Sequence, residues 1–394
     1  MSPTTRLSRR DWLLIATLSL LTFVLGTSEF VIVGILAEIS SALDITIATA
    51  GTLVSAFAIS FAIGTPIVMS MTGHLERRRL ILRLLLAWIL LNLSSSFAPS
   101  YEVLLATRIL TAILTGVLIS LAMVVASDGV PVAKRGVAVS FIFGGFTLAN
   151  VLGVPIGTFI GQHAGFEATF WLTTVMGIIA FLAVLKIVPV QQSTGSGSIK
   201  EQLGLLANPR ILIAFFIPSF GFGATYVVYT YLVPILQTEL GIAKTWISPI
   251  LLAYGVVSIF SNILAGKIAS KNPMGRLRFV FVVQAVVLAA LYFTTASLPL
   301  GLFNIALMSL MSILLTTSTQ IYLIDLAEKF NPEAKGLAAS LMPVASNVGI
   351  AFGSALGGIV YANGPMMNTA LVGGLVALVA ALLTAISHRL DQRS

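Results

Sequence analysis

Residues 12–37 read WLLIATLSLLTFVLGTSEFVIVGILA, an apolar run with one ionisable side chain, Glu29. About 20 such residues cross the hydrocarbon core of a bilayer, so the run predicts a membrane helix. An ionisable group at that depth is costly and persists where it faces protein or a water-filled path. Eleven further stretches follow the same pattern. The full parse is 12–37, 47–71, 80–98, 101–127, 137–161, 167–189, 209–237, 244–270, 277–296, 299–326, 336–361 and 367–387. The chain therefore reads as an all-α membrane protein.

Composition agrees. Hydrophobic residues make up 57% of the chain, charged residues 9%, and the mean hydropathy is +1.02, whereas soluble domains carry about 25% charged residues. The net charge of +8 is a topology signal, not a nucleic-acid footprint. Of 22 lysines and arginines, all but Arg108 and Lys244 fall on the even-numbered side of the spans. The positive-inside rule places that side and both termini in the cytoplasm. Residues 12–37 are too long for a signal sequence, carry Glu29, and lack a small-residue cleavage site, so the first span is expected to be retained. With no cysteine there are no disulfides, thiolate nucleophiles or Cys-ligated metals, though this does not identify a compartment.

Two segments expose an internal duplication. Pro131-Val132-Ala133-Lys134-Arg135-Gly136 follows the fourth span and Pro332-Glu333-Ala334-Lys335-Gly336 follows the tenth. The next helices carry Gly153, Gly157 and Gly161, then Gly349, Gly353 and Gly357, with Asn150 and Asn347 just ahead of each set. Glycine at four-residue steps permits close helix packing. Gln191–Ser198 is polar and flexible in composition. It divides the chain into an N-terminal six-helix bundle (1–189), a cytoplasmic linker (190–208) and a C-terminal six-helix bundle (209–394). Parallel repeats of six spans are the plan of secondary transporters, which bind substrate between the halves near the midplane.

Three segments carry a family resemblance. Gly26-Thr27-Ser28-Glu29-Phe30-Val31-Ile32-Val33-Gly34 resembles a first-helix signature of the major facilitator superfamily, in the drug:proton antiporter and sugar-efflux branch that includes arabinose-type and chloramphenicol exporters. Thr49–Ala58 is similar to that branch's second helix, and Ala149-Asn150-Val151-Leu152-Gly153-Val154-Pro155-Ile156-Gly157 to its antiporter motif. The resemblance covers nearly the whole chain. It implies twelve helices in two pseudo-symmetric bundles, a cavity lined by spans one, four, seven and ten, and export. Two segments depart from the family pattern. Gly73-His74-Leu75-Glu76-Arg77-Arg78-Arg79 has Glu76 where an Asp-Arg pair is usual and lacks the second glycine. Phe166-Glu167 stands where relatives carry Trp-Arg.

Glu29 is the expected proton carrier. Burial raises a carboxyl's proton affinity and a nearby guanidinium lowers it, so alternation between Arg108 and a drier cavity would load and release a proton. The plainer alternative is a static Glu29–Arg108 bond holding spans one and four together. Both residues lie about 12 Å inside the same membrane face, at 1.5 Å per helical residue. Arg108 stays cationic. It either tunes Glu29, binds an anionic or hydroxyl-bearing substrate, or satisfies backbone carbonyls; tuning is the preferred role. Phe222, Tyr226, Tyr229 and Val233 share a face of span seven with Thr225 adjacent, and span ten carries Thr316, Thr317, Gln320 and Tyr322. Apolar-aromatic walls with few polar groups suit an amphipathic small molecule. The substrate-binding candidates are Phe30, Phe222, Tyr226, Tyr229 and Gln320. Gly153, Pro155, Gly157 and Gly161 are expected to shape a bent helix packed closely on a neighbour, serving either ordinary packing or the prevention of leak. Glu76 with Arg77 forms either a cytoplasmic latch or a solvated cluster. Asp128, Asp325 and Glu328 read as interfacial ion-pair partners of nearby basic residues, and Ile199–Leu206 as a short helix on the inner membrane surface.

Other classes fall away. Gly266-Lys267 is followed by Ile268 and lacks the earlier glycine, so there is no phosphate-binding loop. His74, His163 and His388 are scattered without a nucleophile or metal cluster, which argues against an enzyme, a metal or a cofactor. The expectation is a monomeric, proton-coupled exporter of a small amphipathic molecule in a bacterial inner membrane. A proton-coupled importer of a nutrient needs the same parts, and only the resemblance points outward.

Overall fold

A computed structural model describes residues 7–72, 75–131, 134–190, 204, 206–269, 273–330 and 335–392. Every regular element among them is helical. The spans are α1 (Arg9–Gly34), α2 (Ile47–Thr72), α3 (Arg77–Ser95), α4 (Tyr101–Asp128), α5 (135–164), α6 (166–187), α7 (Pro209–Tyr229), α8 (Lys244–Ala269), α9 (Pro273–Thr294), α10 (298–330), α11 (Lys335–Ala362) and α12 (Asn368–Gln392). By length and hydropathy alone, 10 helical runs pass as membrane spans. Residues 135–187 count as one of these, but Gly165 (φ 83°, ψ 162°) turns the chain between α5 and α6. That left-handed conformation favours glycine. Helix α3 escapes the criterion because Arg77, Arg78, Arg79 and Arg83 crowd its start. Twelve spans result. The linker segment Gln191–Ser198, most of the expected surface helix Ile199–Leu206, and the loop residues Gly73, His74, Val132, Ala133 and Pro332–Ala334 lie outside the described residues.

Two spans expected to be continuous are broken. Helix α10 divides into Leu298–Ser312 and Thr316–Phe330. The Ile313 carbonyl accepts from both the Thr316 backbone N–H (3.0 Å) and the Thr316 hydroxyl (2.8 Å), a local bond that competes with the helix ladder. Helix α7 ends at Tyr229, followed by one turn at Leu232–Pro234 and a wide π-helical turn at Ile235–Glu239. Pro234 has no N–H to return to the preceding turn. A second π-helical turn, Ala149–Gly153, lies just before Pro155 in α5.

The glycine steps have specific partners. A Cβ at Gly153 would meet Thr27, at Gly157 Val31 (2.2 Å), and at Gly161 Ile35. On the other half a Cβ at Gly349 would meet Ser219, at Gly353 the Gly223 carbonyl oxygen (2.4 Å), and at Gly357 Val227. Helix α5 thus lies on α1 as α11 lies on α7. The apolar core has three parts. One cluster joins both halves, including Val33, Leu36, Leu53, Val228, Leu232 and Leu251. The other two stay within single halves, one around Leu21, Trp88 and Leu118, the other around Phe215, Phe281 and Leu326. The halves are fused away from the arginine-rich face and separate toward it.

Candidate functional site

The fused end is closed by side chains that match across the seam. Tyr231, fully buried, donates its hydroxyl to the Ser354 carbonyl at 3.1 Å. It occupies space left by Gly51 of α2 and Gly358 of α11. Gly255 of α8 abuts the backbone of Val151 in α5, where a Cβ would lie 2.6 Å from Cα. Lys244 Nζ reaches Glu38 Oε1 at 4.0 Å across the halves.

Between the halves, on the arginine-rich side of this seam, lies a cavity of about 800 Å³. Glu29, Phe30, Phe222, Tyr226, Tyr229 and Gln320 all line it, as do Asn150 and Asn347. The rings form two groups on its wall. Tyr226 meets Tyr229 edge-on (centroids 5.3 Å apart), Tyr229 stacks on Tyr254 (5.1 Å), and Phe30 meets Phe146 edge-on (5.0 Å). Among the described residues Glu29 is the one carboxylate in the lining, and no lysine or arginine joins it.

Arg108 lies behind this wall, 1% exposed. Its guanidinium carbon sits 4.3 Å from the Phe57 ring centroid and 5.9 Å from that of Phe170, and Nη1 donates to Ser28 Oγ at 3.2 Å. No ion pair joins it to Glu29 in this conformation; Glu29 Oε2, Arg108 Nε and Arg108 Nη2 are buried without hydrogen-bond partners. Ser28 in turn donates to Asn92 Oδ1 (2.9 Å), which also accepts from Thr173 Oγ1 (3.1 Å). Asn92 Nδ2 donates to the Trp88 carbonyl at 2.9 Å. Helices α1, α3, α4 and α6 therefore converge on one buried polar knot beside Glu29.

The model of the Major Facilitator Superfamily matches residues 18–330 of the chain. The chain belongs to the major facilitator superfamily. It is 39% identical over 372 residues, 94% of either chain, to the MFS-type transporter YtbD of Bacillus subtilis (strain 168). It is 33% identical over 253 residues to a chloramphenicol resistance protein of Streptomyces lividans, covering 63% of this chain and 64% of that one. Among solved structures it is similar to a D-xylose-proton symporter, with a TM-score of 0.75 at 16% identity over 95% of this chain and 96% of that one. The protein is thus a multi-pass secondary transporter for small molecules, and not an enzyme.

Within this superfamily member, several candidates sit elsewhere than the sequence suggests. Glu76 pairs with Arg79 (Oε2–Nε 2.7 Å), not Arg77. Neighbouring residues on a helix point in different directions, whereas positions three apart share a face. Arg77 instead binds Asp128 (2.5 Å), which Arg135 also approaches at 3.8 Å. All three of these ion pairs lie within one half. Asp325 and Glu328 have partners as well. Tyr322 turns away from the cavity, its hydroxyl meeting Ser387 Oγ (2.6 Å) and Asp391 Oδ1 (3.0 Å). Val233, beyond the break in α7, is fully buried in the seam. Pro155 lies in the first turn after the α5 bulge. Sequence reasoning missed Ser28, Asn92, Thr173 and Tyr254. The one available signal was Asn92, a lone amide deep in the third apolar stretch.

Proposed function

We propose that this transporter exports a small amphipathic molecule, neutral or cationic, in exchange for protons, with Glu29 as the proton carrier and Arg108 as the charge that tunes it. One observation carries the reading: the single carboxylate in the cavity lining among the described residues stands beside, but not bonded to, a buried guanidinium. Transfer of one proton down 100 mV is worth about 2.3 kcal/mol, enough for modest accumulation. Among the described residues the cavity offers rings, hydroxyls and amides, with no cation to receive an organic anion. Similarity to a chloramphenicol resistance protein supports export. The basic face is taken as cytoplasmic by the positive-inside rule, so the cavity opens inward. Residues 1–189 and 209–394 are taken as the rocking bodies of a monomer joined by 190–208.

The test is pH-gradient-driven movement of chloramphenicol, as probe, into inside-out proteoliposomes. Glu29→Gln is expected to lose uphill transport and substrate-linked proton release while keeping probe binding. Retention of uphill transport by Glu29→Gln would remove Glu29 as carrier. Arg108→Ala is expected to change the pH profile; an unchanged profile and unchanged binding would remove the tuning role.

A further inference from the structure

The polar knot behind Glu29 has a fixed hydrogen-bond direction. A guanidinium only donates, so Ser28 Oγ must accept from Arg108 Nη1 and spend its own proton on Asn92 Oδ1. The Asn92 amide orientation is set by Nδ2 donating to the Trp88 carbonyl and Oδ1 accepting from Ser28, while Thr173 Oγ1 shares its one proton between Asn92 Oδ1 (3.1 Å) and the Phe170 carbonyl (2.9 Å). Ser28, Asn92 and Thr173 are all fully buried, so water does not compete for these bonds. The chain of bonds ties one end of the guanidinium to Ser28 of α1, which α3 holds in turn through Asn92. Two donors, Nε and Nη2, stay unfilled, as does Glu29 Oε2. A gap of about 10 Å³ adjoins both Glu29 and Phe57, the ring on which Arg108 rests.

We infer that Asn92, acting through Ser28, is a positioning residue that holds Arg108 on the serine, unbonded to Glu29, while the cavity is open to the arginine-rich face. Asn92 touches neither the cavity nor Glu29. It acts by occupying the serine that holds the arginine. Release of this tether gives the guanidinium to the carboxylate and makes proton loading harder. The other ionisable groups facing Glu29 are the phenols of Tyr226 and Tyr229 from α7 and Tyr254 from α8. Helices α2, α5 and α11 present no charged side chain to the cavity among the described residues.

The inference rests on Glu29 being the proton site, and the experiment separates the two claims. The protonated Glu29 carboxyl is titrated by infrared difference spectroscopy in the purified full-length transporter, with Glu29→Gln identifying the band. Absence of any band lost in Glu29→Gln overturns the proton-site reading itself. Given the band, Asn92→Leu and Ser28→Ala are each expected to move its midpoint at least one unit toward acid, a tenfold loss of proton affinity. Thr173→Val removes a bond to the same amide without touching the Ser28–Arg108 link and is expected to leave the midpoint in place. An unmoved midpoint in Asn92→Leu and Ser28→Ala overturns the inference. So does an equal shift in Thr173→Val, which makes the knot a general scaffold. Thermal unfolding of all variants separates a lost fold from a moved titration, and Ser28→Ala, the smallest change, keeps the test open if Asn92→Leu fails to fold.

Discussion

Arg108 combines charge with shape, and the two can be separated. Its planar guanidinium lies 4.3 Å from the Phe57 ring centre and reaches Ser28 through one nitrogen. A lysine keeps the charge but not the plane or the fork. Stacking of this kind is worth about 0.5–2 kcal/mol. Arg108→Lys is therefore expected to fold, bind the chloramphenicol probe, and lose at least about tenfold in substrate-linked proton movement, roughly 1.4 kcal/mol. Proton movement equal to wild type would show that charge alone suffices. Glu29 and Arg108 were legible because an ionisable residue stands out in an apolar run. Phe30, Phe222, Tyr226, Tyr229 and Gln320 were legible from helical spacing read with the family resemblance. Ser28, Asn92 and Thr173 were not: hydroxyl residues recur in every span, and what distinguishes these is a partner 64 or 81 positions away. Glu76 and Arg77, read together as a latch or a solvated cluster, bind different partners in this conformation, Arg79 and Asp128.

Helix α11 lies on α7 with backbone against backbone at its glycine steps, flanked by the Phe220–Phe352 ring pair (centroids 5.2 Å apart). The Cβ of an alanine at position 353 would lie 2.4 Å from the Gly223 carbonyl oxygen and 2.8 Å from its Cα. Backbone cannot rotate away as a side-chain tip can, so the helices must part. Overpacking typically costs about 1–3 kcal/mol. Gly353→Ala is expected to lower the thermal-unfolding midpoint in detergent, whereas Gly136→Ala, where a Cβ meets nothing within 4 Å, is expected to leave it unchanged or higher. Equal midpoints for the two would mean the α7–α11 contact is looser than it looks. The existence of these pairs was readable from the repeated four-residue glycine step, which fixes a close neighbour without naming it. The breaks in α7 and α10 were not readable by apolar run length. Hydropathy counts Pro234 and Thr316 as tolerable, while the backbone responds to a missing N–H and to a competing hydroxyl.

At the scale of the whole molecule, the proposed exchange requires the halves to separate where they are now fused, and among the described residues one acid–base pair spans that seam outside the hydrocarbon. Glu38 lies in the short helix Leu36–Ala42, its side chain 9% exposed, with Lys244 Nζ 4.0 Å away. Burial holds its carboxyl above the usual carboxylate range; its own backbone N–H and then Lys244 act in the opposite direction without cancelling the effect. The sign follows from linkage. A carboxyl whose proton affinity is higher in the closed seam than in the open one favours closure when protonated. That contribution is full below the ordinary value and is lost as pH rises through the raised one. The pair is therefore a weak clasp, and acid on that face should keep the seam shut. The chain has no cysteine, so spin labels can be placed singly at Ala42 and Thr245, in a Glu29→Gln background that silences the proposed proton site. Raising the pH is expected to move the label-to-label distribution toward longer distances, and Glu38→Gln to remove that response and hold the short-distance population. A distribution that widens with pH equally in Glu38→Gln would assign the seam's pH sensitivity to some group other than this carboxyl. A distribution that shortens as pH rises would show that Lys244 outweighs burial, making the pair a true salt-bridge lock.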